Sequence, residues 1–203
     1  MAFPEVIAVA SHNPGKIREI RTICAEWPVR WVTSGDRPEA GPWPRVEETG
    51  QTYAENAQAK ARAVADALGS PALADDSGIE VDALGGGPGP RSARFAGEDA
   101  TEEENLARLI EAVAGVPPPE RTARYRCVAV LARPGEPEVQ AEGVCEGTLL
   151  AEPRGTGGFG YDPIFLPEGF DRTMAELAPE EKDRISHRGK ALRAMSRILA
   201  RRP

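Results

Sequence analysis

The chain has few of the residues that staple a fold or carry it across a membrane. Its three cysteines, Cys24, Cys127 and Cys145, are odd in number and far apart. That spacing excludes a disulfide framework and a clustered zinc site, and predicts buried thiols in a reducing cytoplasm. The two histidines, His12 and His187, are too widely separated to read as a metal-ligand pair. No apolar run approaches the roughly 18 residues that span a bilayer. The opening Met1-Ala2-Phe3-Pro4-Glu5 has no basic region, so no signal peptide is expected. Lysine is scarce: of 25 Lys plus Arg, only Lys16, Lys60, Lys182 and Lys190 are lysine. A net charge of −7 argues against a nucleic-acid polymer as partner, because such binding neutralises phosphates over a basic face. A small anionic ligand needs only a few local cations and stays open.

What is present is enough for one sizeable core or two closely packed lobes, since 40% of the 203 residues are hydrophobic. Val6 to Ala10 reads as a short buried strand, leading through Ser11-His12-Asn13-Pro14-Gly15-Lys16 into a helix with Ile17, Ile20, Ile23, Cys24 and Trp27 as its apolar stripe. A Pro/Gly/Trp-rich stretch follows, from Ser34 to Arg45. Thr52 with Glu55 forms a capping box that opens a helix to about Leu68, with Asn56 and Lys60 on a shared face. Pro71 to Ala74 is a short strand entering an Asp75-Asp76-Ser77-Gly78 turn, and Ile79 to Leu84 is extended beyond it. Thr101 with Glu104 makes a second capping box; Leu106, Leu109, Ile110 and Val113 line that helix, which Val116 to Pro119 breaks. Tyr125 to Ala132 and Val139 to Leu149 read as strands joined across Pro134-Gly135. A glycine-rich loop from Gly155 to Gly160 precedes a strand around Ile164-Phe165. A short helix near Glu180 to Ile185 and a final helix with Leu192, Met195, Ile198 and Leu199 inward complete the chain. Helices mixed with sequential hairpins give an α/β class with a mixed sheet.

Four segments carry chemistry. The Ser11-to-Lys16 loop joins a strand to a helix start, where free N–H groups, the positive dipole end and a lysine suit a phosphate; an ordinary capped turn fits it equally well. It is not a Walker A loop, because Ala10 stands where the first glycine is required and Ile17 follows Lys16. Glu47-Glu48-Thr49-Gly50 and Asp75-Asp76-Ser77-Gly78 supply carboxylates, and Mg²⁺ favours a few hard oxygens together with waters and substrate phosphates. Neighbouring side chains of a strand point to opposite faces, so Asp75 and Asp76 enter one cleft only if a turn re-aims them. Gly155 to Asp162 offers close backbone approach and two aromatic faces for a base, or a surface loop with an aromatic tucked inward. Lys182, Ser186, His187 and Arg188 offer donors for a phosphate or a purine carbonyl, or simply a solvated basic stretch.

In conjunction and in this order, these segments resemble the inosine triphosphate pyrophosphatases, also called dITP/XTP pyrophosphatases, from about Val6 to Leu199. The motifs carrying the resemblance are Ser11 to Lys16, Glu47 to Gly50, Glu55-Asn56 with Lys60, Ala74 to Gly78, Ser92-Ala93-Arg94, Gly155 to Pro163, and Ile185-Ser186-His187-Arg188-Gly189. Ser11 stands where many members have threonine, which keeps the hydroxyl. The resemblance implies a single domain over residues 1–203, an elongated two-lobed fold around a long mixed sheet with flanking helices, an active site in the cleft between lobes, and a homodimer. It also implies Mg²⁺-dependent cleavage of ITP, dITP or XTP to monophosphate and pyrophosphate. By matched position, Asp76 is the proton acceptor and a metal residue, and Glu47 the companion metal carboxylate. Ser11, Asn13 and Lys16 form the triphosphate loop; Lys60, Ser77, Phe159, Gly160, Tyr161, Asp162, Lys182, His187 and Arg188 are further substrate positions. A pyrophosphatase for other modified nucleotides and a non-catalytic nucleotide-binding module are the rival readings.

Overall fold

Both capping boxes form as the sequence requires. The structure, a computed structural model, describes residues 3–36 and 43–201; positions 37–42 of the Pro/Gly/Trp-rich stretch lie outside them. Thr52 accepts from the Glu55 N–H and Glu55 reaches back to the Thr52 N–H, opening α2 (Tyr53–Leu68), which Gly69 closes in the left-handed conformation. Thr101 and Glu104 do the same for α3 (Glu102–Ala112). The remaining helices are α1 (Pro14–Ile23), α4 (Pro179–Ile185) and α5 (His187–Arg201). The strands are β1 (Val6–Val9), β2 (Arg30–Val32), β3 (Ala72–Val81), β4 (Thr122–Ala132), β5 (Val139–Leu149) and β6 (Phe165–Pro167). Their order in the sheet is β2-β1-β3-β4-β5-β6. β1 runs parallel to both β2 and β3, whereas β5 and β6 are antiparallel, so the sheet is mixed and the class is α/β.

One expectation is corrected. Asp75-Asp76-Ser77-Gly78 is not a turn: β3 runs unbroken through it for ten residues. The apolar residues on either side, Ala72, Leu73 and Ala74 before and Ile79 and Val81 after, are fully buried and keep the backbone extended through the acidic pair. β4 also begins three residues earlier than the apolar pattern indicated, at Thr122.

The chain divides into two compact units: Met1–Asp76 with Cys127–Gly143 and Arg188–Pro203, and Ser77–Arg126 with Val144–His187. In the first unit β1 and the adjoining parts of β3 and β4 are buried on both faces, and alternate residues sort accordingly. Ile7, Val9, Leu73 and Cys127 pack with Ile20 of α1 and Leu192 and Met195 of α5. Ala8, Ala10, Ala72, Ala74 and Val128 pack with Ala57, Ala61 and Val64 of α2. Small alanines on both sides let α2 lie close to the sheet. The second unit has its own core, in which Ile79, Val81, Tyr125 and Phe165 meet Leu109 of α3 and Tyr161. Among the described residues no helix is long and apolar enough to cross a membrane.

Candidate active site

Strand alternation decides how the two adjacent aspartates are used. Asp75 follows Leu73 onto the α1/α5 face, and Asp76 follows Ala74 onto the α2 face. Each therefore meets different partners.

Asp75 is enclosed by cations. Its Oδ2 accepts from Arg188 Nη2 at 2.9 Å and Nε at 3.2 Å, and lies 3.3 Å from Lys16 Nζ. Glu19 of α1 takes Arg188 Nη1. Burial opposes the charge on Asp75, but Arg188, Lys16 and Lys60 override it and hold the carboxyl well below the usual carboxylate range. Cys127 Sγ stands 3.8 Å from the same oxygen; burial, with Asp75 beside it, pushes that thiol far above its ordinary value, so it is no nucleophile. Arg188 itself is 1% exposed.

Asp76 meets an amide and a lysine instead. Asn56 Nδ2 donates to its Oδ2 at 3.1 Å, and Lys60 Nζ donates to its Oδ1 at 3.2 Å and to Glu48 Oε1 at 2.9 Å. Burial pushes the Asp76 carboxyl up; Lys60 and Lys16 pull against this, and Glu48 adds to the rise. Two neighbouring carboxylates thus carry opposite shifts, a pattern that separates an inert counter-ion from a group able to take a proton. Of the acidic pair before α2, Glu48 is the one beside Lys60, whereas Glu47 is exposed and its backbone carbonyl accepts from Thr49.

The Ser11-to-Lys16 loop is a capped turn: the Asn13 side chain accepts from the Lys16 N–H at 3.1 Å, and Ser11 Oγ from the Asn13 N–H at 3.2 Å. Pro14 at the first helical position has no N–H to satisfy. The loop so held delivers Lys16 to Asp75.

In the second unit, Asp162 organises the glycine-aromatic loop. Its Oδ2 accepts from the Phe159 N–H at 2.9 Å and from Lys182 Nζ at 2.6 Å, and that ammonium lies 4.7 Å from the Phe159 ring centroid. Gly158, at φ +72°, cannot be replaced freely, since a Cβ there would stand 2.1 Å from Asp162 Oδ2. Gly160 donates to Glu102 at 3.0 Å. Tyr161 is turned inward, its hydroxyl donating to the Ser92 carbonyl at 2.7 Å, while Phe159 keeps part of its surface exposed. His187 stacks on Tyr125 at 4.6 Å between ring centroids. Ser77 is partly buried at the start of this unit.

Of the residues picked out by sequence, Lys16, Lys60, Asp76 and Arg188 are brought together in the first unit, with Asn13 and Ser11 supporting Lys16. The sequence marks Asp75 and Glu48 as candidate carboxylates without a role of their own, and Glu19 and the donor role of Asn56 were missed. Only the spacing of Asn56 and Lys60, one helical turn apart, carried a signal for the last.

An acid pair sorted onto two faces of a strand, each gripped by its own cations beside a capped strand-to-helix loop, defines an α/β protein built to manage concentrated negative charge. Compared with known proteins, the chain matches the Ham1 family over residues 7–198 and belongs to that family. It is 51% identical over 187 residues to a dITP/XTP pyrophosphatase of Geobacillus kaustophilus, covering 92% of this chain and 90% of that one. It is 49% identical over 195 residues to a dITP/XTP pyrophosphatase of Streptomyces coelicolor, covering 95% and 96%. Among solved structures, a HAM1 protein from Coxiella burnetii superposes with a TM-score of 0.86 at 40% identity, covering 98% of this chain and 100% of that one. The resemblance drawn from the motifs is thereby borne out.

Proposed function

We propose that the protein hydrolyses non-standard purine nucleoside triphosphates, namely ITP, dITP and XTP, to the monophosphate and pyrophosphate with Mg²⁺. The observation that carries this reading is Asp76: a buried carboxylate pushed toward a higher pKa, held at both oxygens by Asn56 and Lys60. The names of the Geobacillus and Streptomyces relatives supply the substrate class.

The residues present suit a divalent cation. Asp75, Asp76 and Glu48 set carboxylate oxygens beside Lys16, Lys60 and Arg188 in this cluster. Asp75 Oδ1 is also buried without a hydrogen-bond partner among the described residues. Hard carboxylate oxygens, one of them without a hydrogen-bond partner, are the donor set that Mg²⁺ takes. Asp76 would hold it with Glu47, and Glu48, which shares Lys60 with Asp76, is the alternative second carboxylate. When bound, Mg²⁺ neutralises triphosphate charge and polarises phosphoryl oxygens.

In the reaction, Asp76 accepts a proton from water as its oxygen bonds to the α-phosphorus, and the bond from that phosphorus to the bridging oxygen breaks to release pyrophosphate. Lys16, on the loop that Ser11 and Asn13 fix, and Lys182 stabilise the departing charge; Lys60 keeps Asp76 aimed. Phe159, whose N–H is held by Asp162 and whose ring lies beside the Lys182 ammonium, stacks on the base, with Gly160, Tyr161, Asp162 and Ser77 as further contacts. His187 and Arg188 take the purine's keto edge, where adenine's amino group would meet a second donor. The same reading has the enzyme act as a homodimer in the cytoplasm on free nucleotides and not on nucleic-acid polymers; three buried free thiols support the compartment, and a net charge of −7 the absence of a polymer partner. A nucleotide panel assayed for pyrophosphate with and without Mg²⁺ tests the proposal: no pyrophosphate from ITP, dITP or XTP under either condition sinks it, and tight binding without turnover favours the binding-module reading.

A further inference from the structure

The segment carrying Glu47 and Glu48 and the strand carrying Asp76 meet at one side chain, Asn56. Its Oδ1 accepts from the Gly50 N–H at 2.9 Å and its Nδ2 donates to Asp76 Oδ2 at 3.1 Å. The Gly50 N–H can only donate, so the amide oxygen must face it, which forces the amide hydrogens toward Asp76. The reverse orientation would set donor against donor and oxygen against carboxylate. Asn56 is 1% exposed, so water cannot substitute for either bond. Gly50 makes the approach feasible: a Cβ there would stand 2.5 Å from Asn56 Oδ1 and 2.8 Å from Glu55 Cβ. The capping box at Thr52 and Glu55 anchors the helix turn from which Asn56 projects.

We infer that Asn56 is a positioning residue, whose single amide sets the Asp76 carboxylate and the Glu47–Gly50 segment in one fixed relation. The inference rests on the proposed role of Asp76. Lys60 bridges the same two segments through Glu48, but by charge. A cation arriving at Glu48 and Asp76 competes with that ammonium. A neutral amide holds the carboxylate in place without neutralising it, leaving its charge for a proton or a cation, so the geometry survives when the Lys60 contacts are loosened.

The test compares wild type with Asn56→Ala, Asn56→Asp, Asp76→Asn and the Asn56→Ala/Asp76→Asn double variant. Asn56→Asp keeps size and the acceptor for Gly50 but loses the donor to Asp76. In metal-free protein, Gly50 amide hydrogen exchange should quicken about tenfold or more in Asn56→Ala and stay protected in Asn56→Asp. The Kd of an α,β-methylene analogue of inosine triphosphate, measured calorimetrically without divalent cation, should stay within about threefold, as should KM, while kcat falls about ten- to hundredfold in both single Asn56 variants. Because Asn56 acts through Asp76, the double variant should be no slower than Asp76→Asn alone. Equal Gly50 exchange in wild type and Asn56→Ala overturns the inference, whether or not the protein turns over nucleotide. So does a kcat within about twofold of wild type in either single variant, or additive losses in the double. Should Asn56→Ala fail to fold, Asn56→Asp carries the decision. A wild type inert toward every purine triphosphate would sink the proposed function instead, and Gly50 exchange would then decide the inference by itself.

Discussion

Replacing each of the adjacent aspartates with asparagine should have opposite consequences for stability and activity. Asp75 is a fully buried counter-ion, and its Oδ2 answers Arg188 at two nitrogens and Lys16 at a third. Asp75→Asn removes the carboxylate that two nitrogens of the buried Arg188 guanidinium share, and breaking a buried pair in this way costs about 3–5 kcal/mol. For a chain of this size each kcal/mol moves Tm by roughly 2–4 °C, so a drop of about 6–20 °C is expected at pH 7. Its folded-state pKa lies below the unfolded value, so its stabilisation is present above that unfolded value, near ~3.9, and is lost as pH falls toward the folded one. The drop should therefore hold across pH 5 to 8. Asp76 behaves in reverse. Its pKa is raised on folding, so the stabilisation from its proton is present below the unfolded value and lost as pH rises; at pH 7 the ionised group is a burden on the fold. Asp76→Asn should leave Tm unchanged or slightly higher, because Glu48 still pairs Lys60, while turnover falls by ~10² or more. Circular-dichroism melts and pyrophosphate release on the same samples provide both readouts. If Asp76→Asn melts as low as Asp75→Asn, or Asp75→Asn melts like wild type, the division into counter-ion and base is wrong.

Three further outcomes follow from the same geometry. Carbon-detected carboxyl titration of the metal-free protein should show Asp76 taking its proton at a higher pH than an ordinary aspartate and Asp75 only well below it; a reversed order would remove Asp76 as base. Products from inosine triphosphate should be monophosphate and pyrophosphate, and chromatography showing diphosphate with orthophosphate would change the reaction class. His187→Ala should lower kcat/KM for inosine triphosphate about ten- to hundredfold more than for adenosine triphosphate, as leaving a buried polar group without its hydrogen bond predicts, whereas Lys16→Ala should lower both alike; an unchanged ratio in His187→Ala means this residue does not read the base. His187 is the cleaner test, since Arg188→Ala also unpairs Asp75.

Features written in local order were legible from the residues. Thr52 with Glu55, Thr101 with Glu104, and Pro14 inside its helix start each act within one turn of chain, so periodicity and capping chemistry locate α1, α2 and α3 without a fold. The order of the motifs was enough to place the chain in its family. The acidic pair was not legible in the same way. Whether Asp75-Asp76-Ser77-Gly78 bends or runs straight depends on burial of the apolar residues on both sides, which only the sheet provides. Once the strand runs straight, strand alternation sends one aspartate to each face, and what waits there is set by partners 113 residues away for Asp75 and 20 for Asp76. The same separation hid the use of Glu48 in place of Glu47 beside Lys60, because a one-residue choice in an irregular segment depends on which carboxylate the helix opposite can reach. Local chemistry specifies elements and their ends; burial and charge compensation between distant segments decide which of two identical side chains becomes a counter-ion and which can take a proton.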